Sequence, residues 1–243
     1  MNIVYVVFKT TLRNIRIPRG VVTVYRRTVM TITIREPGSA FTHLAACVAA
    51  LIAAIPLLIK ANGNSLTALC AMTVFISSMI LLYGASTTYH SVNVSEKALR
   101  VFKKLDHAMI FVLIAGSYTP VCLLILPIEK GYLLLAAVWA IAVVGITIKM
   151  FWIYCPKWFS SIIYIAMGWV CLTVLTDLVN TLSRVSFAWL LAGGIIYTIG
   201  GVIYALKLPL FNARHKYFGS HEIFHCFVMG GSVCHFIFCL TIL

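Results

Sequence analysis

Leu66-Thr67-Ala68-Leu69-Cys70-Ala71-Met72-Thr73-Val74-Phe75-Ile76-Ser77-Ser78-Met79-Ile80-Leu81-Leu82-Tyr83-Gly84-Ala85-Ser86-Thr87-Thr88-Tyr89-His90 is an apolar run closed by hydroxyls, a tyrosine and a histidine. It contains no Asp, Glu, Lys or Arg. A helix of this length covers the roughly 30 Å of a bilayer's hydrocarbon core. Six more runs qualify, at about residues 40–59, 107–126, 131–151, 159–179, 186–206 and 220–242. Turn chemistry separates them: Asn62-Gly63-Asn64, Pro127 to Gly131, Cys155-Pro156 and Leu208-Pro209. The spacing predicts an all-α integral membrane protein of seven transmembrane helices. Residues 37–243 form that domain, and residues 1–36 form a basic cytoplasmic extension.

Composition agrees. The chain has 243 residues, of which 62% are hydrophobic and 10% charged, and its mean hydropathy is +1.01. A soluble domain needs no such apolar excess. The eight cysteines (47, 70, 122, 155, 171, 226, 234 and 239) show no CxxC pairing and read as small core residues.

The basic residues set the expected orientation. Of nineteen Lys and Arg, sixteen fall before span one or at the even-to-odd connections, and only Lys60, Lys130 and Arg184 fall on the other side. The N-terminus is therefore expected in the cytoplasm and the C-terminus outside. The formal charge of +13 sits at membrane edges, with no basic, aromatic-interleaved module, so nucleic acid is excluded as a partner and anionic lipid is favoured. Residues 1–29 read either as an interfacial anchor or as the product of an early start codon, because Met30 would begin a seven-span chain. They lack the apolar centre and small-residue cleavage site of a signal peptide.

With this parity the unusual polar residues share one membrane layer. Span two closes with Ser86 and His90, span three opens with Asp106-His107, and span seven opens with His221 and His225. His221 and His225 stand four apart on one helical face. His90, His221 and His225 supply three neutral nitrogens, the ligand count of a catalytic zinc site with its fourth position open to water. Asp106 is placed to orient a ligand or to act as general base, and the Ser86 hydroxyl points into the same cavity, one turn before His90. Other polar residues read more simply. His107 is expected to face elsewhere on its helix, His235 to bond a neighbouring helix, and Asp177 to be interfacial. Tyr132, Trp152, Trp158 and Tyr204 read as interface anchors. His43 opens span one and is a candidate for the surroundings of the metal.

His221-Glu222-x-x-His225 also matches the H-E-x-x-H signature of metalloproteases, whose Glu is the general base. Such enzymes commonly take a further acidic ligand after the motif, and no acid follows Glu222 here. Glu222 is expected beside the ligand face at the cytoplasmic boundary.

Ser86-x-x-x-His90, Asp106 and His221-x-x-x-His225 together resemble the hemolysin III family, within the progestin and adiponectin receptor superfamily of seven-span zinc proteins. Further stretches fit: Arg35-Glu36-Pro37 with Thr42-His43, Ile114 to Pro120, Gly201 to Ala205, and Gly231 to Phe236. The resemblance runs from about residue 36 to the end. It implies zinc on His90, His221 and His225 near the cytoplasmic face, with Asp106 and Ser86 close to the metal water. It implies a multi-pass protein of a bacterial plasma membrane that hydrolyses a lipid amide or ester, such as a ceramide-like substrate, in lipid or energy homeostasis. One departure concerns span one, where the family often has an Asn ahead of its His and this chain offers Ser39 and Thr42.

Two other functions compete. One is a lipid sensor or regulator with a structural zinc. The other is a cytolysin, as the family name suggests. Seven apolar spans leave no soluble form for a secreted toxin, so lysis by cell-free medium would be the observation that favours it.

Overall fold

The computed structural model describes residues 33–206 and 218–243, together with the backbone of 4–5 and 31–32. Its helices are α1 (Pro37–Asn64), α2 (Leu66–Ser91), α3 (Glu96–Leu124), α4 (Ile128–Phe151), α5 (Lys157–Gly168), α6 (Leu175–Thr181), α7 (Arg184–Leu206) and α8 (Ser220–Ile242). A 3-10 segment, Trp169–Val174, joins α5 to α6. Counting Lys157–Thr181 as one, seven helices among the described residues are long and apolar enough to cross a membrane. Val4–Tyr5 pairs antiparallel with Thr31–Ile32. The rest of the basic extension, and the stretch holding Lys207, Arg214 and Lys216, lie outside the described residues.

The helix starts follow local chemistry. Ser65 caps α2 by accepting from the Ala68 N–H at 3.0 Å, and Ser95 does the same for Ala98 at 3.4 Å in α3. Pro37 opens α1, where its missing N–H costs nothing. Helix α3 begins at Glu96, well before the apolar run at 107. Lys97, Arg100, Lys103 and Lys104 therefore lie on the helix itself, in a segment that projects beyond the apolar run.

Helices α2 and α3 are the most enclosed. Phe75 and Tyr83 of α2 and Phe111 of α3 are fully buried at the centre of the core. Helix α1 shows the opposite design. Ser39, His43, Ala46, Ala50, Leu57 and Ala61 face inward, while Ile52, Ile55 and Ile59 are exposed on a face suited to lipid.

Two features depart from the sequence expectation. Lys149, counted among the edge cations, is 2% exposed and donates to Cys155 Sγ at 3.0 Å and Ser160 Oγ at 2.5 Å. Its side chain turns inward because Cys155, in the loop after α4, and Ser160, in the first turn of α5, supply two acceptors. Span five is also not a continuous α-helix. The Tyr118 hydroxyl of α3 enters its backbone ladder, donating to Gly168 O at 2.6 Å and accepting from Cys171 N at 2.9 Å. An inserted side chain of this kind breaks the i to i−4 pattern. Tyr118→Phe removes the hydroxyl from Cys171 N and leaves Gly168 O only a weak thiol donor, and is expected to lower stability by about 1–3 kcal/mol, measurable as an earlier thermal transition in detergent.

Candidate metal centre

Three of the proposed residues converge. One nitrogen from each of His90, His221 and His225 lies within 4.8 Å of the others. His90 ends α2, while His221 and His225 occupy the first two turns of α8. His90 and His225 are 1% and 2% exposed. The ring centroids of His221 and His225 stand 4.5 Å apart, as expected for positions one turn apart on a helix. A buried three-histidine group of this kind can hold a metal ion.

The hydrogen bonds around the rings fix which nitrogen is free. His90 Nδ1 donates to Glu36 Oε2. A carboxylate only accepts, so the proton sits on Nδ1 and Nε2 carries a bare lone pair. Thr42 Oγ1 lies 3.1 Å from His225 Nδ1 and already spends its own hydrogen on the carbonyls of Gly38 and Ser39 at 3.0 and 2.9 Å. It therefore accepts from His225 Nδ1, which frees His225 Nε2 as well. Partners of this type orient metal-ligating imidazoles and raise their basicity.

The spacing also fits a metal. His90 Nε2 and His221 Nε2 are 3.3 Å apart. Two nitrogens about 2.0–2.1 Å from one tetrahedral zinc ion are separated by about 3.3–3.4 Å. The donor set and its spacing thus suit zinc, and no cysteine joins the described cluster.

Glu36 is a residue that the sequence reasoning missed in this role. Its backbone N–H donates to His90 O at 2.9 Å while its side chain accepts from the same residue's ring. Arg35 completes the brace, donating to Tyr89 O at 2.8 Å and lying over the Tyr89 ring at 4.4 Å. Burial works to raise the Glu36 carboxyl. The His90 hydrogen bond and the Arg35 charge outweigh it and hold the group below the usual carboxylate range. A usable signal existed, since Glu36 is the only acid before the first span. Glu36→Gln is expected to weaken metal affinity about 10- to 100-fold, read by competition with a chromophoric chelator.

A cavity of about 130 Å³ opens beside the triad, with Ser86, Asp106, His221 and His225 on its walls. Asp106 is 8% exposed. Ser86 Oγ is buried beside the Asp106 carboxylate. His107 borders this cavity too, with Nδ1 3.5 Å from Asp106 Oδ2 and 2.9 Å from Lys103 O. It was expected to face away. Consecutive residues diverge by only about 100° on a helix, so both reach the wall of a wide cavity. His43 stacks on His225 at 3.6 Å with 10° between the rings, and so acts as a backstop for that ligand.

The remaining candidates do not join the triad. Glu222 is not on the cavity wall. Its carboxylate accepts from Ser39 Oγ and from the Gly219 N–H, the latter at 2.8 Å, and thereby caps α8. That engagement leaves the H-E-x-x-H protease reading without its base. Asp177 pairs with Lys130 at 2.7 Å at the far end of the bundle. His235 was expected to bond a neighbouring helix, but both of its ring nitrogens lack partners among the described residues.

Comparison with known proteins agrees with this architecture. Residues 31–236 match the family model described as Haemolysin-III related. The chain is 38% identical over 207 residues to Hemolysin-3 of Bacillus cereus, covering 84% of this chain and 90% of that one. It is 36% identical over 210 residues to the Hemolysin-3 homolog of Bacillus subtilis, covering 86% and 94%. A more distant similarity, 23% over 221 residues, covers 83% of this chain and 49% of the Adiponectin receptor protein of Drosophila melanogaster. With the seven spans and the buried histidine group already in place, these matches establish that the chain belongs to the haemolysin III family.

Proposed function

We propose that His90, His221 and His225 hold a zinc ion, and that the adjoining cavity is the active site of a hydrolase for lipid amides or esters. The observation that carries this reading is the pair of fixed imidazoles, His90 on Glu36 and His225 on Thr42, each left with a bare Nε2, within a histidine group whose ligand atoms lie within 4.8 Å of one another. Three histidines leave a fourth position for water or a carbonyl oxygen. Zinc bound there supplies a Lewis acid and acidifies a water.

The chain's own residues perform the remaining work. Asp106, on the cavity wall, takes the proton from the attacking water and later returns it to the leaving amine or alcohol. Its neighbour His107 steadies the carboxylate. The Ser86 hydroxyl, beside Asp106 on the same wall, turns to donate to the carbonyl oxygen as negative charge builds there. Leu82, Ile110, Leu113, Ile114, Ile165 and Val228 give the cavity apolar walls, which suit an acyl chain and exclude bulk water. The basic residues at the expected cytoplasmic edge support assigning this chemistry to the inner leaflet of a bacterial plasma membrane, where anionic lipids gather.

Purified protein in bilayers with zinc is expected to release the acyl chain from a labelled ceramide or acyl ester, and chelation is expected to stop it. Cleavage that survives both chelation and His225→Ala contradicts the proposal. One observation favours a second reading, that of a sensor with structural zinc. The three ligands come from α2 and α8, so an ion there ties the two helices together. On that reading chelation lowers the melting temperature and no lipid is cleaved at any zinc concentration.

A further inference from the structure

His235 stands where two cavities meet, and its ring bonds to nothing among the described residues. The first cavity, about 130 Å³, begins at His221 and His225. A second, about 290 Å³, lies beyond it, bordered by α3, the 3-10 segment, α6 and α7. Ser117, Tyr118, Gly168, Trp169, Gly194 and His235 border both. Every other side-chain polar group on this shared wall is occupied. Ser117 Oγ donates to Ile114 O at 2.7 Å, the Tyr118 hydroxyl is held by span five, and Trp169 Nε1 donates to Thr198 Oγ1 at 2.9 Å. His235 keeps both nitrogens unpaired at 9% exposure. An unpaired polar side chain at this depth is unfavourable, and ionisable groups in membrane interiors usually serve a ligand or a pathway.

The ring is also seated with care. Tyr197 meets it edge-on at 5.3 Å. On the opposite helix, a Cβ at Gly193 would collide with His235 Cδ2 and Nε2, so a glycine there makes the room that the imidazole occupies. His235 follows His225 by ten residues, which is about 15 Å along α8. An extended acyl chain with C–C bonds of about 1.5 Å at about 111° advances about 1.25 Å per carbon. A chain whose head lies at the triad therefore passes His235 at about its twelfth carbon.

We propose that the lipid taken by this site carries a hydroxyl near the middle of its acyl chain, and that His235 is the residue that selects it. An imidazole offers one N–H donor and one lone pair, and a hydroxyl offers one donor and two lone pairs, so the two match in either tautomer. A plain methylene chain leaves His235 unpaired. This selection rests on the acyl-lipid reading above, but it is tested by binding alone, so that the two claims fail separately.

The test is competition of free acids against a fluorescent fatty acid, with the full-length protein in nanodiscs. The probes are octadecanoic acid and its 2-hydroxy and 12-hydroxy derivatives. The 12-hydroxy acid is expected to bind about tenfold more tightly than octadecanoic acid, the effect of one buried hydrogen bond, and the 2-hydroxy acid to gain nothing at His235. His235→Leu is expected to erase the 12-hydroxy preference, and His235→Asn, which keeps a donor and an acceptor, to retain part of it. Gly193→Ala keeps the imidazole but displaces it, and is expected to weaken the preference as well. Equal binding of the plain and 12-hydroxy acids overturns this inference and leaves the acyl-lipid reading standing. A preference that survives His235→Leu and Gly193→Ala also overturns it. Failure of every acid to bind overturns both claims.

Discussion

Asp106→Asn is expected to slow lipid hydrolysis about 100- to 10,000-fold, the range for loss of a general base, while zinc stays bound. The side chain keeps its shape and one acceptor oxygen but can no longer take a proton. It lies on the cavity wall and outside the triad, so the metal ligands remain. Single-turnover cleavage of a labelled ceramide, with metal analysis of the same sample, separates the two effects. Loss of zinc along with activity would show that the carboxylate holds the metal site together and would remove it from the proton path.

His225→Ala is expected to have the larger combined effect. The substitution removes a ligand, the bond to Thr42 and the ring that stacks on His43. Hydrolysis falls to the level of protein-free vesicles, zinc no longer copurifies, and the melting temperature drops because metal binding contributes to folding. The comparison with Asp106→Asn is informative. One variant loses turnover and keeps the metal, whereas the other loses both. A His225→Ala protein that retains zinc at full occupancy is incompatible with the proposed ligand set.

Much of this arrangement is legible in the sequence, for reasons specific to membranes. The bilayer sets one length for every span, so Leu66 to His90 and its six counterparts stand out by composition alone. Parity then carries His90, His221 and His225 to a common layer, and the structure brings their nitrogens together. What hydropathy misses are features made between helices or beyond the apolar core. The early start of α3 is invisible because Lys97 to Lys104 are charged but helix-compatible. The 3-10 segment in span five has its cause in Tyr118, on another helix. Glu36 and Thr42 escape because neither carries a periodic signal, and their role appears only once α1 packs beside the ends of α2 and α8. His235 resembles an ordinary core histidine until the cavities on either side of it are seen.

Zinc K-edge X-ray absorption of the purified full-length protein tests the central claim most directly. Eight cysteines offer an alternative sulfur environment that this measurement distinguishes from histidine. Three imidazole nitrogens and one oxygen at about 2.0–2.1 Å, and no sulfur shell near 2.3 Å, is the predicted result. A sulfur shell, or a protein that binds no zinc at all, contradicts it.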